Sequence, residues 1–163
     1  MGYTHYWKFK KSPKNIESGA ELFKLAVEAT KDCIAKIPAN IPCINYTWNS
    51  EKQAYDESEG TMPFSIHDGN GEGNPRFTDS LVCFNGDAEK GYDHETCYIS
   101  LDSDGFDFCK TARKPYDVAV CITLIVFKHF FDDAFEYSSD GDIEGGEEGW
   151  KLAKEITSEY FNS

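Results

Sequence analysis

The residues best suited to chemistry lie in Cys109-Lys-Thr-Ala-Arg-Lys-Pro-Tyr-Asp117, where Lys110, Arg113 and Lys114 stand in an otherwise acidic half of the chain. They directly precede the most apolar stretch, Tyr116–Phe131. A helix starting at Pro115 would crowd these cations at its positive end, at a cost of about 0.3–1 kcal/mol each unless an anion joins them. Free backbone amides beside Lys and Arg make an anion site, and a phosphate-bearing ligand fits it. Thr111 adds a hydroxyl donor. The competing account is that neighbouring Asp and Glu side chains supply the anion.

A second candidate is Tyr3-Thr-His-Tyr-Trp7. Tyr3 and Trp7 can stack on a base or ribose, while Thr4 and His5 make hydrogen bonds. Ordinary core packing of one strand face competes with that reading. A third is Asp93-His-Glu-Thr-Cys97, with His94 as a general base and Cys97 as a nucleophile. Adjacent strand residues point to opposite faces, however, and the segment matches no nucleophile motif. A fourth is Asp68-Gly-Asn-Gly-Glu-Gly73 with Asp79, which echoes a calcium loop but has Glu at position 5, Asp at position 12 and no helical flanks. Asp140-Gly-Asp-Ile-Glu-Gly145 repeats only its first half. His5, His67, His94 and His129 show no HExxH or i, i+4 pairing, so neither metal nor cofactor is expected.

These residues need elements to hold them. Residues 3–10 read as a strand, broken at Ser12-Pro13. A helix follows from between Asn15 and Ser18 to Pro38, with Ser18 and Glu21 at capping-box spacing. Ile16, Ala20, Phe23, Val27, Thr30, Ile34 and Ile37 form its apolar stripe, with Lys24, Glu28, Lys31 and Asp32 outside it. Residues 42–48 read as a strand with Ile44, Tyr46 and Trp48 on one face, residues 49–61 as a loop, and 63–67 as a short strand. Residues 81–85 and 95–101 read as a hairpin across a long turn, followed by a turn at 102–105. Tyr116–Phe131 is β-branched like a strand, but its length favours a buried central helix. A last strand at 134–138 and a closing helix at 147–161 complete the chain. In that helix Leu152, Ala153, Ile156 and Tyr160 face inward, Trp150 sits at the edge, and Glu147 and Glu148 suit the N-terminus. The expected class is a single α+β domain over residues 1–163, with a mostly antiparallel sheet of about five or six strands and three helices.

Composition bounds the function. The chain has 163 residues, 40% hydrophobic and 15% aromatic, enough to bury a core. Its 16 basic and 29 acidic residues leave a net charge of −13, which disfavours wrapping a nucleic acid duplex. No apolar run approaches a membrane span, and MGYTHYWKFKK lacks the apolar core of a secretory signal, so a cytoplasmic protein is expected. The first 50 residues hold seven lysines against four acids. Their cluster Lys8, Lys10, Lys11 and Lys14 suits the blunted edge of a strand. Six cysteines without a CxxC pair disfavour a zinc ribbon, and in a reduced compartment they read as small buried apolar groups. Cys83 and Cys97 are positioned to face each other across the hairpin.

Met1-Gly-Tyr-Thr-His-Tyr-Trp7, Phe84-Asn-Gly86 with His94-Glu95-Thr96, and Phe108-Cys-Lys-Thr-Ala-Arg-Lys-Pro-Tyr-Asp117 resemble a family of small uncharacterised phage and bacterial proteins. The resemblance spans most of the chain. It implies a phage or prophage setting and the cytoplasm of a bacterial host, and it names no reaction. Small phage accessory proteins are often counter-defence factors, some resembling sponges that sequester nucleotide signals. The residues and this setting together point to non-catalytic binding of a small phosphorylated ligand by Lys110, Thr111, Arg113 and Lys114 with Tyr3, Thr4, His5 and Trp7. A homo-oligomer with its pocket between protomers would suit such a sponge. The alternatives are an acidic inhibitor that mimics nucleic acid and, third, a small hydrolase using His94 or His5.

Overall fold

The computed structural model describes residues 2–144 and 148–162 of the chain. Among them the elements run β1 (Thr4–Phe9), α1 (Gly19–Ile34), β2 (Asn40–Asn49), β3 (Ala54–Pro63), β4 (Arg76–Thr78), β5 (Leu81–Phe84), β6 (Cys97–Ser100), β7 (Gly105–Lys110), α2 (Asp117–Phe131), β8 (Phe135–Ser139) and α3 (Glu148–Phe161). The protein is a single α+β domain whose strands form three antiparallel sheets, ordered β7-β1-β8, β2-β3 and β4-β5-β6. No described helix is long and apolar enough to cross a membrane.

The oily run folds as the expected central helix. Most of α2 is buried, because α1, α3 and β8 all pack against it. It begins at Asp117 rather than Pro115, with Tyr116 as the half-in residue. In α1 the apolar stripe holds for Phe23, Val27, Thr30, Ile34 and Ile37, while Ala20 faces solvent and Ala26, Ala29 and Cys33 complete the buried face. The capping box does not form. Ser18 takes a left-handed conformation (φ 58°), and its side chain caps nothing. The preceding turn Pro13–Asn15 sets the start instead, so close to Gly19 that a Cβ there would fall 1.8 Å from the Pro13 carbonyl oxygen. In α3, Trp150 is fully buried rather than at the edge, stacked on Tyr137. Glu147 and Gly145 lie outside the described residues.

Two strand readings change. Residues 49–61 were expected as a loop, yet 54–63 pair with β2 along its whole length. The arm they build is largely solvated on both faces, so β3 carries acids where a core strand would carry alternating apolar groups. Ile44, Tyr46 and Trp48 do share a face, opposite Glu59, Glu57 and Tyr55. Beyond Pro63 there is no short strand, only a single bridge from His67 to Asn85. The lysine cluster guards no edge, since β1 lies between β7 and β8. Lys10 pairs with Glu136 and Lys14 with Asp102, each at 3.0 Å.

The 81–85 and 95–101 hairpin is present as β5 and β6, but its register sets Cys83 opposite Tyr98 and Cys97 opposite Phe84. None of the six cysteines is in a disulfide. Burial pushes the Cys33 thiol to about 11 and raises those of Cys97 and Cys109 well above the ordinary range. Only Cys43, on the arm, is not buried. A thiol-specific chromogenic reagent near neutral pH is therefore expected to titrate Cys43 rapidly. The full complement of six should react only after denaturation.

Candidate functional site

Strand alternation sends Tyr3, His5, Trp7 and Phe9 into the core and Thr4, Tyr6 and Lys8 outward. One helical turn places Asp117 and Cys121 on the same face of α2. The β1–β8 register brings Ser139 opposite His5. These side chains converge in a buried polar network. His5 Nε2 lies 2.6 Å from Asp117 Oδ1, and His5 Nδ1 lies 2.9 Å from Ser139 Oγ. The Thr111 hydroxyl donates to the same Asp117 oxygen. Cys121 Sγ sits 3.8 Å from His5 Nε2 and 3.7 Å from Asp117 Oδ2. Tyr3 and Trp150 pack edge-on to the imidazole, with centroids 5.1 and 5.2 Å away. Asp117 thus occupies the positive end of α2 and is satisfied by histidine and threonine, not by the neighbouring cations.

Above this network runs the turn Thr111–Lys114. Ala112 (φ 52°) and Arg113 (φ 57°) are successive non-glycine residues in the left-handed region. Such conformations cost of order 1–3 kcal/mol each and persist where their surroundings enforce them. Here the amides of Thr111 and Ala112 both donate to the Tyr3 carbonyl. The Arg113 guanidinium lies 4.2 Å over the Tyr3 ring, a cation–π contact. Among the described residues no carboxylate forms an ion pair with Lys110 or Lys114.

A cavity of about 720 Å³ opens beside the turn. Tyr3, Arg113, Lys114 and Asp117 line it together with Ile41, Tyr46 and Met62 of the β2–β3 arm. Of the ligand residues expected from sequence, Tyr3, Arg113 and Lys114 therefore border one cavity. His5 and Thr111 are fully buried and belong to the network beneath it. Trp7 is buried on the same strand face, where it borders a separate depression of about 280 Å³ with Asp102, Asp104 and Asp107. Thr4 points to the outer face, its amide bonded to Asp140. Lys110 projects from β7 against Gly2. Strand alternation is the reason, because contiguous residues of β1 cannot all reach one pocket.

The other candidates are taken up by the fold. His94 is exposed, the Glu95 carboxylate accepts the Lys110 amide at 2.6 Å, and Cys97 is fully buried with its thiol far above the ordinary range, so no dyad forms there. Asp68 accepts the Asn70 and Glu72 amides and closes its own loop. Those bonds, that from Glu72 foremost, hold its carboxyl below the usual range. Sequence reading missed Ser139, Gly149, Trp150 and the arm residues. The spacing of Asp117 and Cys121 was a legible signal, but nothing local linked them to His5. Compared with known proteins, the chain matches no family model, no curated protein and no solved structure.

Proposed function

We propose that this protein binds a small phosphorylated molecule, such as a nucleotide-derived signal, without turning it over, in the manner of a phage accessory protein acting against host defence. The supporting observation is the convergence of Arg113, Lys114 and Tyr3 at one cavity, with Lys114 paired to no described carboxylate. Arg113 and Lys114 meet the phosphate, the exposed Tyr46 of the arm offers flat surface to a base, and the buried Tyr3 ring backs the Arg113 guanidinium. His5, Thr111 and Trp7 support the wall rather than touch the ligand. The phage setting rests on the sequence resemblance.

Thermal denaturation against a panel of mono-, di- and cyclic nucleotides and inorganic phosphate tests this reading. A true ligand at about a hundredfold its Kd should raise the midpoint by roughly 5–10 °C. Arg113→Ala should remove that rise while keeping the circular dichroism of the wild type. No shift across the panel overturns the reading, and recovery of a chemically altered compound replaces it with a hydrolase.

A second reading is favoured by the exposed Glu57 and Glu59 on the arm, which suit a basic protein partner. Co-purification of such a partner, released by high salt, would support it.

A further inference from the structure

We infer that His5, Asp117 and Cys121 form a three-ligand site for a divalent transition-metal ion, with zinc as the class the donor set favours. Among the described residues they are the one group of His, Cys, Asp or Glu whose ligand atoms come together in this way, all within 4.8 Å. The donors are a nitrogen, an oxygen and a sulfur, and thiolate with imidazole selects zinc over magnesium or calcium.

The geometry fits. Bonds of 2.0–2.3 Å in a tetrahedron place ligand atoms roughly 3.3–3.8 Å apart. Cys121 Sγ already stands 3.8 Å from His5 Nε2 and 3.7 Å from Asp117 Oδ2, too long for strong hydrogen bonds. The 2.6 Å hydrogen bond of His5 Nε2 to Asp117 Oδ1 has to break, so that the ion is held by Nε2, Sγ and one carboxylate oxygen. Asp117 and Cys121 come from one face of one helix, so their separation is rigid. His5 has the outer support that metal-bound imidazoles have, its Nδ1 on Ser139 and its ring wedged by Tyr3 and Trp150. Thr111 steadies the carboxylate in the same way.

There is also a path in. Gly149 packs its backbone closely on the cluster, where a Cβ would lie 2.5 Å from Asp117 Oδ2 and 3.6 Å from Cys121 Sγ and would obstruct the approach. Asp117 and Gly149 both border the cavity, so an ion enters from that side. Binding displaces the thiol proton of Cys121 to solvent. With Nε2 on the ion, the imidazole carries its proton on Nδ1, 2.9 Å from Ser139 Oγ. No redox change is involved, and the site does not depend on the cavity's taking a phosphorylated ligand.

The test uses the full chain with cobalt(II) and zinc(II) as probes. Wild type should take up about one equivalent of cobalt, giving a thiolate-to-cobalt charge-transfer band in the near ultraviolet and strong visible bands of tetrahedral type. Zinc should bleach these bands and raise the melting midpoint. Cys121→Ser should lose the near-ultraviolet band, and Cys43→Ser should keep it. With urea just below the unfolding transition, so that buried thiols react through opening of the fold, mass-spectrometric mapping should find Cys121 alkylated in metal-free wild type and protected by zinc, a readout that survives even if the variant fails to fold. Folded wild type with neither a cobalt spectrum nor a zinc-induced rise overturns the site. So does a band that persists in Cys121→Ser, or zinc that leaves Cys121 alkylation unchanged.

Discussion

Replacing Asp117 by alanine is expected to cost about 3–5 kcal/mol of folding stability, as two buried polar groups lose their partner at about 1–3 kcal/mol each. The carboxylate joins three parts of the chain at one point, because it meets His5 of β1, the Thr111 hydroxyl before α2, and Cys121 within α2. Removing it strands a fully buried imidazole nitrogen and a fully buried hydroxyl in apolar surroundings. Asp117→Asn keeps the volume and one acceptor oxygen, so it should cost clearly less. Urea unfolding followed by tryptophan fluorescence reads both variants, and Trp150 beside His5 is a local reporter. A change below about 1 kcal/mol for the alanine variant would mean that the network is not holding β1 against α2.

Phe127→Ala should be comparably severe, at about 3–5 kcal/mol, by a different mechanism. Phe127 is fully buried, and its ring centroid lies 5.3 Å from Phe23, 6.0 Å from Phe131 and 6.2 Å from Phe135. It bridges α1, α2 and β8, so truncation opens a cavity that three rigid elements cannot collapse to fill. Leu25→Ala, on the exposed side of α1, is the control and should stay within about 0.5 kcal/mol. Calorimetry should therefore place the Phe127 variant far below the control. Equal midpoints for the two would contradict the packing described here.

The two substitutions mark what was legible in the chain and what was not. Phe127 could be placed in the core from its neighbours alone, because a mostly apolar stretch of about 16 residues has few other fates. The buried stripe of α1 was visible for the same reason: 3.6-residue periodicity is a local property. The start of α1 escaped, since it depends on Pro13 touching Gly19 and not on the side chains of Ser18 and Glu21. Strand β3 escaped because a solvated arm has no apolar period to read.

The candidate site divides in the same way. Composition and order in the chain by themselves determined an acidic α+β protein with a cationic turn leading into a buried helix. Tertiary structure alone decided which of those cations meet a cavity, and that His5 serves the interior. His5 and Asp117 are 112 positions apart and His5 and Ser139 are 134 apart, so no local pattern could couple them. Their meeting depends on β1 lying between β7 and β8 and on the first turn of α2 packing beneath that sheet, arrangements set by long-range burial rather than by any neighbouring residue.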